Sequence, residues 1–189
     1  MTTCLCHLVV PLDNRVPVLV LQHPAEAREA KSSTRLLCLS LARCRVIVAD
    51  PFDADELAAL LHGDGQRSLL LYPADTREAS FASRFDQAAP ANVQLVVLDG
   101  TWRKSLKLLK TTPLLQALPR VSLALPDRGR YAPLRKAPRD GQVSTLEATC
   151  EALSQLEGDA APYRPLLRSF ERFVDARVAV SGRERSALK

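Results

Sequence analysis

The chain has 189 residues, 47% of them hydrophobic and 25% charged, which is enough apolar material to bury a core and reads most simply as one domain. No apolar run approaches the roughly 20 residues that cross a bilayer, and the first residues lack the basic-then-apolar order of a signal peptide. A cytoplasmic location is therefore expected, and the five cysteines, Cys4, Cys6, Cys38, Cys44 and Cys150, are expected as reduced thiols.

The predicted elements alternate. An apolar run over residues 16–22 reads as a strand, 25–41 as a helix and 45–49 as a second strand. A short helix over 53–62 has Asp53 as its expected N-cap. Strands follow over 68–72 and 93–98, then a basic helix from Trp102, and another strand over 120–125. Helices over 144–156 and 165–180 close the chain, with loops over 126–141 and 158–165. The first of these loops is long for a compact domain. Apolar strands alternating with helices imply an α/β fold with a mostly parallel sheet covered on both faces.

The net charge of +5 hides an asymmetry. Residues 103–139 contain ten Lys and Arg against one acid, Asp127, a net of +9 that leaves −4 for the rest of the chain. Such concentration suits a polyanion, because each neutralised phosphate releases condensed counterions. The plainer reading is a solvated face.

Two helix starts stand out. Asp99-Gly100-Thr101-Trp102 joins a buried strand to the basic helix, where open α/β sheets bind ligands. Thr101 can cap that helix, while Trp102, Leu106 and Leu109 are spaced as a core stripe. Ser144 and Glu147 have the spacing of a capping box, and free N–H groups at such a start can also receive an anion.

Asp99-Gly100-Thr101-Trp102 resembles the signature of the DTW-domain family, and the likeness extends along the chain. Gln22-His23-Pro24-x-Glu26, then Ser33-Thr34-Arg35-Leu36-Leu37, resembles that family's N-terminal block. Leu71-Tyr72-Pro73, Tyr131-x-x-Leu134-Arg135 and Ser144-Thr145-Leu146-Glu147-Ala148 are similar to three further blocks. The five span about residues 18–153 in order. The resemblance implies a single domain over 1–189 with a short N-terminal extension over about 1–15. It also implies a SPOUT-like fold with a C-terminal trefoil knot, an arrangement too rare for periodicity to suggest.

The activity implied is that of a tRNA-uridine aminocarboxypropyltransferase, which moves the 3-amino-3-carboxypropyl group of S-adenosylmethionine to N3 of a uridine in tRNA and releases 5′-methylthioadenosine. Asp99, Thr101 and Trp102 are the implied catalytic set, with Asp99 as base for the N3 proton. His23 is the competing base, histidine being the side chain most often used for general acid–base work. Tyr72, Pro73, Leu98, Asp99, Thr101, Ser144, Thr145 and Leu146 are expected around S-adenosylmethionine, Leu98 and Leu146 sandwiching the adenine and the Ser144 helix start receiving the methionine carboxylate. Lys31, Arg35, Arg103, Lys104, Lys107, Arg128, Arg130, Arg135 and Lys136 are expected to face RNA.

One departure concerns metal. Relatives commonly carry a cysteine pair before a C-x-C; here only Cys4-Leu5-Cys6 and the neighbouring His7 remain, short of the four ligands of a structural zinc site. No zinc is expected. A SPOUT-like RNA methyltransferase and a non-catalytic RNA-binding factor are the alternatives to the transferase.

Overall fold

The computed structural model describes residues 4–29, 32–73, 92–123 and 144–187. Five strands, β1 (Val18–Gln22), β2 (Cys44–Val48), β3 (Arg67–Leu71), β4 (Val93–Asp99) and β5 (Arg120–Val121), form one sheet in the order β2-β1-β4-β3-β5. Every pairing is parallel.

Both faces of the sheet are apolar because both are covered, as a parallel sheet requires. Val18 and Val20 of β1, with Leu95 and Val97 of β4, share a core with α2 (Ser33–Ser40), α6 (Thr145–Glu157) and α7 (Arg164–Ala187). The alternate residues Leu19, Leu21 and Val96 share a second core with α3 (Ala54–His62), α4 (Trp102–Thr111) and α5 (Pro113–Gln116). A short helix, α1 (Pro24–Ala27), follows β1 directly. Among the described residues, no helix is long and apolar enough to cross a membrane.

Local chemistry places several boundaries. Asp53 accepts a hydrogen bond from the Glu56 N–H and starts α3, as expected. The helix expected over 25–41 is instead divided into α1 and α2, with Ser32, in extended backbone, at the N-cap position of the second. The strand expected over 120–125 pairs at only Arg120 and Val121, and residues 124–125 lie outside those described. Helix α5 was not expected; Pro113 at its first position is the signal for it.

The cysteines differ from expectation too. Cys38 and Cys44 are joined as a disulfide that ties the end of α2 to the start of β2, their Cα atoms being 5.2 Å apart. Cys150 is a buried free thiol, pushed up to about 12 by burial, with Glu147 and Glu151 adding to the shift. Such a thiol is a core residue, not a nucleophile.

The connections set the position of the site. β1 hands the chain through α1 to α2 on one face and so to β2, while its neighbour β4 hands it to α4 and α5 on the other face and so to β5. The carboxyl ends of β1 and β4 therefore flank a topological switch point, where such sheets bind ligands.

Candidate active site

Gln22 and Asp99 end β1 and β4 as register partners, on the face that carries α2 and α6. Gln22 Nε2 donates to Asp99 Oδ2 at 2.7 Å, and Thr145 Oγ1, from the first turn of α6, donates to Oδ1 at 2.6 Å. The Asp99 carbonyl accepts the His23 N–H at 3.1 Å. A carboxylate offers about four acceptor positions, so the clamp occupies half and leaves capacity for a further donor. Thr101 is not part of it: its hydroxyl accepts from the Lys104 N–H at 3.4 Å and caps α4.

The start of α6 forms a complete capping box. Ser144 donates to Glu147 Oε2 through both its N–H and its hydroxyl, each at 2.7 Å, and its Oγ accepts the Glu147 N–H at 3.2 Å. Thr145 and Leu146 begin α6, in the first turn, where backbone N–H groups have no intrahelical acceptor. Asp99 and Glu147 thus bring two carboxylates to the positive end of the helix. Ser144→Ala is expected to cost about 0.5–2 kcal/mol of stability, seen as a lower denaturant midpoint. An unchanged midpoint would show the cap to be dispensable.

Two expectations fail, one on strand alternation and one on where the sheet ends. Leu98 packs with the α3–α5 core, whereas Leu146 is fully buried in the α2–α6–α7 core. They lie on opposite faces of the sheet and do not sandwich one ring. The buried stripe of α4 also misses Trp102, passing through Ser105 and Leu109 with Leu106 half-buried. The first turn of α4 starts at the carboxyl edge of β4, beyond the sheet that covers the rest of the helix.

Trp102 is instead 59% exposed, and its ring stacks on Tyr72 with centroids 5.4 Å apart and planes 14° from parallel. The Arg120 guanidinium lies 5.7 Å from the centre of the Tyr72 ring. Burial holds the Tyr72 phenol above its ordinary pKa, with Arg120 opposing. Pro73 follows, exposed.

The basic helix is partly neutralised by its own domain. Lys104 Nζ lies 2.8 Å from Glu26 Oε1, and Lys107 Nζ lies 3.7 Å from Asp50 Oδ2. His23 Nε2 is 3.0 Å from that same Asp50 oxygen, while His23 Nδ1 accepts the Ala25 N–H and caps α1. Both ring nitrogens are engaged, which makes His23 a turn residue and not a free base. Gly100 permits the close approach of α4: a Cβ there would lie 3.3 Å from Lys104 Cβ and 3.4 Å from Ser105 Oγ.

Arg103 and Lys110 are exposed on α4, whereas Arg35 is exposed on α2, across the sheet. Lys31, Arg128, Arg130, Arg135 and Lys136 lie outside the described residues, as does the Tyr131–Arg135 block. Sequence reasoning missed Gln22 and Arg120; the signal for Gln22 was an amide ending a run of four apolar residues. Among the described residues, no group of three or more His, Cys, Asp or Glu is placed to hold a metal.

A parallel α/β sheet with an aspartate clamped at its switch point defines the class of protein. Residues 1–178 match the DTW domain, and the chain belongs to the DTW-domain family. It is 32% identical over 155 residues to tRNA-uridine aminocarboxypropyltransferase 2 of Drosophila melanogaster, covering 80% of this chain and 58% of that protein. To the protein of the same name from Mus musculus it is 31% identical over 176 residues, covering 89% of this chain and 57% of that one. The Macaca fascicularis protein of that name is 28% identical over the same length and coverage. The chain thus spans less than three fifths of the length of these relatives. No solved structure matches it.

Proposed function

We propose that this chain transfers the 3-amino-3-carboxypropyl group of S-adenosylmethionine to N3 of a uridine in tRNA, releasing 5′-methylthioadenosine. The observation that carries the reading is the Asp99 clamp at the switch point, in a chain whose relatives bear the name of that activity. The fold that belongs with it is SPOUT-like. The all-parallel sheet covered on both faces supports that reading, while the link from β5 to α6, where a knot would fall, runs through residues outside those described.

The residues present fit the donor. S-adenosylmethionine supplies a carbon activated by an adjacent positive sulfur. The Glu147 carboxylate makes the start of α6 a favourable place for that charge and for the amino group, while the N–H groups of its first turn suit the carboxylate. Asp99 takes the uridine N3 proton as the N3–carbon bond forms and the carbon–sulfur bond breaks, its electron pair leaving with the sulfur of methylthioadenosine. Gln22 and Thr145 hold the carboxylate in one orientation, which favours the positioning that such a displacement requires.

The test is chromatography of the small products after incubation with S-adenosylmethionine and an unmodified tRNA transcript. Methylthioadenosine is expected to form only when tRNA is present. S-adenosylhomocysteine in its place would identify a methyltransferase, and tRNA binding with neither product would identify a binding factor.

A further inference from the structure

The resemblance counts Trp102 in the catalytic set, yet no step of the proposed transfer uses its ring. Among the described residues, Leu39, Val48 and Trp102 are the large hydrophobic side chains left exposed, and Trp102 has the greatest exposure of the three, 59%. It is also braced. Its ring lies on Tyr72 at 5.4 Å, and Tyr72 is backed in turn by the Arg120 guanidinium and by the α3–α5 core. A tryptophan that only filled space would turn its surface inward. Here a stacked partner fixes the ring while most of its surface stays in water, so its orientation is set before anything binds.

The surroundings state the chemistry of what would cover it. Arg103 is exposed next to it in the chain and Lys110 is exposed two turns further along, so the flat aromatic surface stands at the start of a basic helix. That combination suits an unpaired nucleobase and its flanking phosphates. Three Cα–Cα steps lead from Asp99 to Trp102 and span at most about 11 Å. The ring therefore stands close along the chain to the aspartate of the clamp.

Resting on the RNA reading above, we infer that Trp102 is a stacking platform for an unpaired nucleobase of the RNA substrate. Trp102 is the chain's only tryptophan, so its fluorescence reports on this ring alone. The full chain is titrated with an unmodified tRNA transcript and with hexauridylate, following Trp102 emission alongside the polarisation of labelled RNA. Quenching is expected to saturate together with polarisation, while heparin, a polyanion without bases, leaves emission unchanged. By polarisation, Trp102→Phe should bind hexauridylate within about threefold of the parent, and Trp102→Leu should lose about 5- to 150-fold, the usual range for one stacked base.

Bound RNA with unmoved emission, or Trp102→Leu binding as tightly as the parent, would overturn the platform while leaving the RNA reading intact. Quenching by S-adenosylmethionine alone would assign the ring to the donor and overturn the platform as well. Absence of RNA binding by polarisation would remove the RNA reading itself, and the platform with it.

Discussion

Asp99→Asn is expected to lower turnover by about 10²–10⁴-fold, the usual share of a general base, while S-adenosylmethionine affinity and melting temperature stay close to the parent. The clamp makes this a clean substitution. The asparagine carbonyl can still accept from Gln22 Nε2, and the Thr145 hydroxyl can rotate to accept from the new amide instead of donating. Shape and hydrogen bonding survive, and the proton acceptor does not. The loss should therefore fall on the chemical step and not on ground-state binding. Single-turnover kinetics with saturating tRNA, beside calorimetric titration of the donor, separates the two. Equal losses of affinity and stability would make Asp99 a strut between β1, β4 and α6 and move the base elsewhere.

Reversing Arg103 and Lys110 together to glutamate is expected to weaken tRNA binding by roughly ten- to thirtyfold near physiological salt. It should also flatten the log–log salt dependence by about 0.9 per lost duplex phosphate contact. These two are the informative cations on α4 because both are exposed. Reversal at Lys104 would set a new carboxylate beside Glu26, and at Lys107 beside Asp50, mixing a folding effect into the binding one. Polarisation of labelled tRNA at several salt concentrations provides the measurement. An unmoved slope would mean that these cations serve solubility, and the footprint would then be sought on the Arg35 face.

Much of the fold was legible because its strands are buried on both sides: the runs ending at Gln22 and Asp99 are almost unbroken in Val and Leu. Helix starts were legible for a local reason, since the hydroxyls of Thr101 and Ser144 and the carboxylate of Asp53 each reach an N–H three residues on. What did not show was whatever depends on distant chain. Gln22 and Asp99 are 77 residues apart, and only the parallel register makes them neighbours. Spacing placed Trp102 on one stripe with Leu109, but periodicity cannot say where the sheet beneath a helix ends. Leu98 and Leu146 looked like two walls of one pocket until alternation along β4 set them on opposite faces. The cations of α4 were countable, but their pairing with Glu26 and Asp50 required the β1 and β2 ends to arrive beside them.

Gln22 has a double duty with a consequence of its own. It belongs to the hydrogen-bonded ladder at the middle of the sheet and, through its side chain, orients the carboxylate on the next strand. On the proposed reading, the reactive group is therefore mounted on the framework and not on an adjustable loop. On that reading, adaptation to a different substrate proceeds through the helices and connections that surround the edge, while the β1–β4 pair tolerates little change, because a substitution there would disturb assembly of the domain and alignment of its chemistry in the same stroke.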